Sequence, residues 1–289
     1  MASRIRKAII LAAGYGTRFL PETKSVPKEM LPIVDRPVIQ YIVEEALASG
    51  LDQIVIVTAM AKRAIEDHFD RNLELEAALA NKPDFLESVR SFAGVDIAFV
   101  RQKEMKGQSH AILSARNFVG DESFALFYPD DVIFGDQPVI GQLLDVREKH
   151  GGSVIAVQQC THEDIVHYGA IDADPVEDRV WKVNRIVEKP APCTAPSLLG
   201  TVGRYVVSGE MWPLLEKTPP SIGGEMFFTD TMAMYMEQGG LIHACEYRGD
   251  RFDTGRPIGL LKASLYAALR RPDIAPELED YLRTLSVPA

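Results

Sequence analysis

Residues 11–32 read LAAGYGTRFLPETKSVPKEMLP and continue the strand-like run Lys7–Ala12. Gly14 and Gly16 can adopt backbone conformations that are barred to other residues, so their loop can turn successive N–H groups toward an anion. The basic side chains that follow add mobile positive charge. The stretch therefore predicts a strand that ends in a cradle for a polyphosphate. A tight turn without a ligand is the alternative that a glycine pair, taken alone, favours.

Two common phosphate-binding motifs do not fit this segment. The third glycine of a G-x-G-x-x-G pattern would fall at position 19, which is Phe19, and no GK[ST] follows as in a Walker loop. The loop is long, carries Arg18, Lys24 and Lys28, and follows the carboxyl end of the first predicted strand, where α/β sheets bind ligands. Long loops in compact domains are usually functional. These observations favour the cradle over the bare turn.

Strand-like runs alternate with helical patterns through the first 160 residues, which is typical of parallel strands covered by helices. The predicted strands of this half are Lys7–Ala12, Gln53–Thr58, Asp96–Arg101, Ser123–Tyr128 and Ser153–Gln159. The predicted helices are Ile39–Leu47, Ala61–Phe69, Leu73–Ala80, Ser109–Phe118 and Val139–His150.

The pattern changes after about residue 160, where Gly-punctuated, β-branched stretches predict antiparallel additions to the sheet. They are Tyr168–Asp172, Val180–Glu188 and Leu199–Val207, with a further strand at Ile242–Tyr247. Helical periods predict Thr229–Glu237, Ile258–Leu269 and Ala275–Leu285. We therefore expect an α/β fold: a Rossmann-like mixed, mostly parallel β-sheet flanked by helices, with antiparallel additions in the second half and a helical C-terminal tail.

Composition and charge limit the class of protein. The chain has 289 residues, 46% hydrophobic and 25% charged, so disorder, collagen and coiled coil are excluded as the main architecture. Its net charge of −10 argues against nonspecific binding to nucleic acid or to an anionic membrane. No apolar run approaches the roughly 20 residues of a membrane helix. The three cysteines are far apart and odd in number, which favours the reducing cytoplasm over a disulfide-bonded protein. Together these features lead us to expect a soluble, cytoplasmic protein with no nucleic-acid or membrane partner.

The pattern L-A-A-G-x-G-T-R-x-x-P-x-T-x-x-x-P-K-E-M-L-P resembles the signature of the sugar nucleotidyltransferases, and within them the bacterial enzymes that transfer a uridylyl group to glucose 1-phosphate. Ordered matches extend over nearly the whole chain. They are Gln40-Tyr41, Phe69, Leu73-Glu-Leu-Glu76, Val100-Arg-Gln102, Lys106-Gly107, His110-Ala111, Pro129-Asp-Asp131, Val187-Glu-Lys-Pro190, Val202-Gly-Arg-Tyr205, Trp212-Pro-Leu-Leu215, Lys217-Thr-Pro-Pro220 and Asp253-Thr-Gly255.

The resemblance implies a reaction and an organisation. The phosphate of glucose 1-phosphate attacks the α-phosphorus of UTP in line, UDP-glucose forms and pyrophosphate leaves, with Mg²⁺ as cofactor. A thymidylyl or other sugar 1-phosphate nucleotidyltransferase is the alternative. It also implies one domain over 1–289, with a nucleotide-binding half (1–160), a sugar-binding half (161–257) and C-terminal helices (258–289), assembled as a homo-oligomer.

The resemblance also implies a set of site residues. Catalytic roles fall to Arg18, Lys28, Asp130 and Lys189; nucleotide contacts to Ala12, Ala13, Gly14, Gly16, Thr17, Gln102 and Gly107; sugar contacts to Gly169, Glu188, Lys189 and Val202; and Mg²⁺ ligation to Asp130 and Asp253. The residues alone leave plainer interpretations open. Asp130 and Asp253 are also typical of turns, and Arg18 and Lys28 of a charged surface. Gln102 and the Glu188–Lys189 pair are equally typical of solvated loop and strand ends.

Some positions depart from the pattern of the family. Gln108 and Ser109 stand where the uridylyltransferases commonly have Leu and Gly, and Phe227 and Phe228 stand where they usually have Gln and Leu. Phe227 and Phe228 fit a hydrophobic core equally well. Two other functional classes stay open: a serine hydrolase, because Gly107–Ala111 partly imitates a nucleophile elbow, and a nucleotide-sensing module without catalysis.

Overall fold

A computed structural model of the chain describes residues 4–285. Residues 1–3 and 286–289, the ends of the domain predicted over 1–289, lie outside the described residues. The strands are β1 (Lys7–Leu11), β2 (Pro32–Ile33), β3 (Arg36–Pro37), β4 (Gln53–Thr58), β5 (Asp96–Arg101), β6 (Phe124–Phe127), β7 (Asp131–Phe134), β8 (Ser153–Gln159), β9 (Gly169–Glu177), β10 (Val180–Glu188), β11 (Leu199–Val207), β12 (Ile242–Glu246) and β13 (Asp250–Asp253). The α-helices are α1 (Val38–Ala48), α2 (Arg63–Phe69), α3 (Leu73–Ala78), α4 (Pro83–Val89), α5 (Gln108–Ser114), α6 (Arg116–Val119), α7 (Val139–His150), α8 (Trp212–Leu215), α9 (Phe228–Glu237), α10 (Pro257–Ala268) and α11 (Ala275–Thr284).

A nine-stranded mixed sheet organises the molecule, in the order β5-β4-β1-β6-β11-β8-β12-β10-β9. Strands β1, β4 and β6 are almost continuously apolar, as strands covered by helices on both faces must be. The pairings β1–β4, β1–β6, β4–β5 and β8–β12 are parallel. Only β10 and β11 run against the other seven strands. The predicted Rossmann-like, mostly parallel sheet with later antiparallel additions is confirmed.

The second half of the chain is built into the centre of the sheet as well as its edge. Strand β11 is buried at all nine positions and lies between β6 and β8. Strand β9 pairs with β10 and also touches β11, through Gly200 and Ala170. The register places Glu188 at the end of β10 directly opposite Gly169 at the start of β9. Two of the residues expected at the sugar are therefore neighbours.

A short antiparallel ribbon, β7 with β13, was not predicted. It aligns Asp131 with Asp253 across the pair, although 122 residues separate them in the sequence. Each strand has four residues and includes at least one Asp, so neither gives the apolar alternation that predicts a strand. This ribbon brings Asp253 beside the Asp130 loop at the carboxyl edge of β6.

The helices mostly follow the predicted ranges, and α10 and α11 form the expected C-terminal tail. The single helix predicted over Ser109–Phe118 is wrong, because the chain forms α5 and α6 with a break at Ala115. The Ser114 hydroxyl donates to the His110 carbonyl at 3.0 Å, and a side-chain bond of this kind competes with the helical backbone.

None of the helices within residues 4–285 is long and apolar enough to cross a membrane. The predicted division into 1–160, 161–257 and 258–289 stays a prediction.

Candidate active site

The loop after β1 forms the mouth of a cleft at the carboxyl edge of the sheet. The Ala12 N–H donates to the Val57 carbonyl at 2.8 Å and so extends the sheet to the start of this loop. Gly16 has φ +69°, the left-handed region that favours glycine, and a Cβ there would lie 3.1 Å from Lys28 Cβ. Thr23 Oγ1 donates to the Gly16 carbonyl at 2.7 Å. Both a positive φ and a close approach therefore require the second glycine.

Lys28 projects from a 3-10 turn, Lys28–Met30, into the same cleft. Its ammonium donates to both carboxylate oxygens of Asp130, at 2.5 and 2.6 Å. Burial alone would lower the pKa of Lys28, but the carboxylates of Asp130 and Glu29 outweigh it and raise that pKa above its usual value. Lys28 is thus held as a cation at the mouth, as expected for contact with a triphosphate.

Asp130 and Asp253 converge beside Gly255. A Cβ at Gly255 would lie 2.9 Å from Asp130 Oδ2 and 3.1 Å from Asp253 Oδ1. The Thr254 N–H and hydroxyl both donate to the Asp130 carbonyl, at 2.7 and 2.9 Å, and tie the two loops together. Burial, together with the negative charges of Asp131 and Asp130, raises the pKa of Asp253. The charged form of Asp253 is thus destabilised by its neighbours, which is the environment that a divalent cation relieves.

The donor set fits Mg²⁺. Within residues 4–285, no group of three or more His, Cys, Asp or Glu side chains is arranged to hold a metal. Asp130 and Asp253 provide two hard oxygen donors, and Mg²⁺ is usually held by one or two carboxylates with phosphate oxygens completing its shell. These two residues could hold the ion together with a bound nucleotide.

Asp131, the neighbour of Asp130, is engaged in packing. Its Oδ2 accepts from the Gly203 N–H at 2.9 Å, and its Oδ1 accepts from Arg251 Nε at 2.6 Å. Arg251 also donates to the Tyr168 hydroxyl at 3.0 Å. Asp131 thereby joins β7, β11 and β13, and both of its carboxylate oxygens already have protein donors.

The cleft encloses a cavity of about 410 Å³ between the mouth and β6. Among its lining residues are Ala13, Gly14, Gly16, Thr17, Lys28, Gln102, Gly107 and Asp130. Ala12 lies fully buried behind this lining. Arg18 is exposed on the adjacent 3-10 turn, Thr17–Phe19, outside the cavity lining. The structure thus brings most of the predicted nucleotide-binding residues to one cavity, with Arg18 at its rim.

The far end of the cavity, away from Lys28, is polar and closely packed. Gln102 is 5% exposed, and its Nε2 donates to the Gly107 carbonyl at 3.1 Å. Gly107 has φ +97°, and a Cβ there would lie 2.6 Å from Met226 N. Met226 N–H in turn donates to the Lys106 carbonyl at 2.8 Å. The Gln102 side chain is therefore fixed and not solvated, and its amide lies beside the backbone of Gly107.

Ser109 lies behind this end and is inaccessible. Its hydroxyl donates to the Phe227 carbonyl at 3.1 Å and lies 2.8 Å from Thr231 Oγ1. The residue is 0% exposed. The serine-hydrolase hypothesis fails here, because a nucleophile must reach its substrate.

Glu188 and Gly169, paired across β10 and β9, lie outside the cavity lining and beside a residue that was not predicted, Thr201. A Cβ at Gly169 would lie 2.8 Å from Thr201 Oγ1 and 3.5 Å from Glu188 Oε2. A hydroxyl and a carboxylate thus converge on the buried backbone of Gly169, and both groups are of a kind that hydrogen-bonds to sugar hydroxyls. Val202 is 1% exposed as a whole residue, so neither its side chain nor its backbone lies on an open surface.

Lys189 has an unusual backbone. Its φ is +42°, in the left-handed region, and its N–H donates to the Tyr168 carbonyl at 3.0 Å. A non-glycine residue in this conformation is held there by its surroundings, and such positions concentrate at functional sites. Its ammonium lies 3.6 Å from Glu188 Oε1.

Two tyrosines between the cavity and the sugar end were also not predicted. The rings of Tyr128 and Tyr205 lie 5.4 Å apart. Tyr128 lines the cavity, and burial raises the pKa of Tyr205. Tyr205 sits on β11 in the matched pattern Val202–Tyr205, but nothing in that pattern indicates that its ring contacts Tyr128.

Comparison with known proteins identifies the family of the chain. Residues 7–268 match the family model for nucleotidyl transferases. The chain belongs to the nucleotidyl transferase family. It is 45% identical over 287 residues to a Staphylococcus epidermidis protein named UTP–glucose-1-phosphate uridylyltransferase, covering 98% of this chain and 99% of that one. The resemblance inferred from residues 11–32 is confirmed.

Solved structures of similar proteins share the fold of this chain. The UTP-bound UGPase from Acinetobacter baumannii matches with a TM-score of 0.88 at 36% identity, over 98% of this chain and 100% of that one. A UDP-glucose pyrophosphorylase complexed with UDP-glucose matches with a TM-score of 0.84 at 38% identity, over 92% and 100%. Both proteins carry a uridine nucleotide on the same fold.

Proposed function

We propose that the chain joins UTP and glucose 1-phosphate into UDP-glucose and pyrophosphate, as a Mg²⁺-dependent uridylyltransferase. The observation that carries the proposal is the cavity that brings the Gly14–Gly16 loop, the Lys28–Asp130 pair and the Gln102 amide together. The relatives named for this activity align over almost the whole chain and support it.

The reaction brings several negative charges together, so positioning and charge neutralisation are the main catalytic requirements. The backbone of Gly14 and Gly16 and the ammonium of Lys28 meet the triphosphate, and Arg18 reaches its outer phosphates from the rim. Asp130 and Asp253 would hold Mg²⁺, which would further neutralise the phosphate charge. No protein acid or base is needed, because the attacking phosphate oxygen is already ionised.

Each end of the site selects part of the substrate. The Gln102 Nε2 already donates to the Gly107 carbonyl, so its Oε1 accepts from the N–H of uracil, and backbone N–H groups near Gly107 donate to the uracil oxygens. Glu188 accepts from hexose hydroxyls, and Lys189 neutralises the sugar phosphate. In-line attack requires the two phosphates to meet beside Asp130 and Lys28.

The test is pyrophosphate release by the purified protein. We expect release only when UTP, glucose 1-phosphate and Mg²⁺ are all present, and loss of release when EDTA is added. A higher kcat/KM with dTTP than with UTP would support the thymidylyl alternative instead. Nucleotide binding without turnover under every condition would identify a sensing module and reject the proposal.

The assembly and location follow as further parts of the proposal. On α10, Ile258, Leu261 and Leu265 are 51%, 65% and 38% exposed and recur at helical spacing. We expect this face to pack on a second copy of the chain, which light scattering of the wild type and of Leu261→Glu would test. All three cysteines, each within the described residues, are free thiols, which suits the reducing cytoplasm.

A further inference from the structure

The Lys189 side chain, which leaves the sugar end of the site, has two neighbours. Its ammonium lies 5.4 Å from the centroid of the Phe227 ring and 3.6 Å from Glu188 Oε1. The side chain is half exposed, whereas Glu188 is 15% exposed. The ammonium therefore lies between an aromatic face and a carboxylate, within reach of both and without a close hydrogen bond to the carboxylate.

These two neighbours have opposite consequences for a sugar phosphate. A close ion pair with Glu188 would occupy the carboxylate that hexose hydroxyls need. An aromatic face attracts an ammonium through its quadrupole but offers no oxygen, so it holds the cation without saturating its N–H donors. A Lys189 ammonium that lies over Phe227, 3.6 Å from Glu188 Oε1, makes no close hydrogen bond to the carboxylate and keeps its own donors available for phosphate.

The Phe227 ring is fixed, so it can define a position. Phe227 is 7% exposed, and its carbonyl accepts from the Ser109 hydroxyl at 3.1 Å. The next N–H, of Phe228, donates to Gln108 Oε1 at 3.2 Å. The preceding Met226 is bonded through its backbone to both Lys106 and Ser109. The ring is thus part of the same wall that holds the far end of the nucleotide cavity.

The backbone of Lys189 is equally constrained. Its left-handed φ and its N–H bond to Tyr168 fix the direction in which the side chain leaves β10. Four flexible side-chain bonds remain, and a lysine loses considerable rotamer freedom when it is held in one geometry. The ring opposite reduces this freedom before the substrate arrives.

We propose that Phe227 is a positioning residue that keeps the Lys189 ammonium over its ring, out of a close hydrogen bond with Glu188 and ready for the sugar phosphate. This proposal rests on the proposed function. Its consequence is selective: the loss of the aromatic face should weaken the use of glucose 1-phosphate much more than that of UTP.

The experiment compares steady-state kinetics of the wild type with Phe227→Leu and with trifluorophenylalanine at position 227, in the full-length protein with Mg²⁺. Leucine keeps an apolar side chain, and the fluorinated ring keeps the shape but loses most of its quadrupole. We expect KM for glucose 1-phosphate to rise about fivefold or more in both, while KM for UTP changes by less than about twofold. Phe227→Tyr, which retains the aromatic face, should restore KM to within about twofold of the wild type.

A double-mutant cycle with Lys189→Met shows whether the ring acts through the lysine. In the Lys189→Met background, Phe227→Leu should have no further effect on KM for glucose 1-phosphate. An equal effect in both backgrounds, or an unchanged KM in both position-227 variants, overturns the proposal. If Phe227→Leu does not fold, the fluorinated variant decides by itself. A wild type that makes no UDP-glucose rejects the proposed function, whereas an active wild type with unaffected variants rejects only the role of Phe227.

Discussion

Two neighbouring residues, Lys28 and Glu29, form ion pairs in two different environments. Lys28 pairs with Asp130 at the cavity, where the side chains are 16% and 35% exposed. Glu29 pairs with Lys62 in the core, where they are 1% and 8% exposed, and both Glu29 oxygens lie 2.8 Å from the ammonium. One short turn, Lys28–Met30, thus places one charge in the site and the next beneath it.

The pKa shifts of the two pairs differ as their burial does. Asp130 raises the pKa of Lys28, so the Lys28 ammonium stays charged. Burial raises the pKa of Glu29 and lowers that of Lys62, so each charge depends on the other. The first pair can exchange partners for phosphate and Mg²⁺. The second cannot open without leaving a charge buried, so it serves to fix the turn that presents Lys28.

The largest effect is expected at the cavity pair. Asp130→Asn removes a proposed metal ligand and the partner of Lys28, and we expect kcat/KM to fall by about 10³-fold, about 4 kcal/mol of transition-state stabilisation. Thermal unfolding should change little. Asp136→Asn, the same substitution at an exposed position, is the control. Activity of Asp130→Asn within a few-fold of the wild type would contradict the assigned role.

The core pair should respond in stability instead. Glu29→Ala leaves the Lys62 ammonium buried without its partner, and we expect the free energy of unfolding to fall by about 3–5 kcal/mol in urea titration. The double variant Glu29→Leu with Lys62→Met removes both charges and should recover most of this loss. A single variant as stable as the wild type would show that the pair does not anchor the turn.

A third carboxylate, Glu76, tests the role of ion pairs through the pH dependence of stability. Hydrogen bonds from Arg71 and Arg90 lower the pKa of Glu76 to about 2. A lowered pKa in the folded state contributes stability above the unfolded value near 4.5, and this contribution is lost as the pH falls toward 2. The stability difference between wild type and Glu76→Gln should therefore be full at pH 7 and shrink below pH 4.5. A difference that is constant from pH 7 to 3 would disprove the assignment.

The smallest effect is expected for a pair on the surface. Arg6 and Asp52 form an ion pair with side chains that are 56% and 50% exposed. Such pairs contribute little, because water already solvates both charges. Asp52→Ala should leave the urea midpoint and the kinetics unchanged within error. A clear destabilisation would show that exposure does not rank the ion pairs of this protein.

The part of the site that is local in sequence could be predicted. Gly14, Gly16 and Lys28 lie within one segment, and the chemistry of that segment points to phosphate without any structure. The alternation of strands and helices was sufficient for the fold, because it depends on local periodicity. Asp253 required the family resemblance, since its loop has no distinctive composition.

The contacts between distant segments could not be predicted. The β7–β13 ribbon joins segments about 120 residues apart, and Lys62 reaches Glu29 across 33 residues. Thr201 lies in an apolar strand and Phe227 in a loop, and the sequence around each residue indicates only that it is buried. Their part in the site depends on register and packing, because a one-residue shift in a strand turns each side chain to the opposite face.

The most direct test of the central claim is a crystal structure of the protein with UDP-glucose and Mg²⁺. We predict that the phosphates lie between the Gly14–Gly16 loop and Lys28, that the ion is held by Asp130 and Asp253, and that Lys28 has exchanged Asp130 for phosphate. Ligand bound elsewhere, with the Lys28–Asp130 pair intact and the cavity closed to it, would contradict the account.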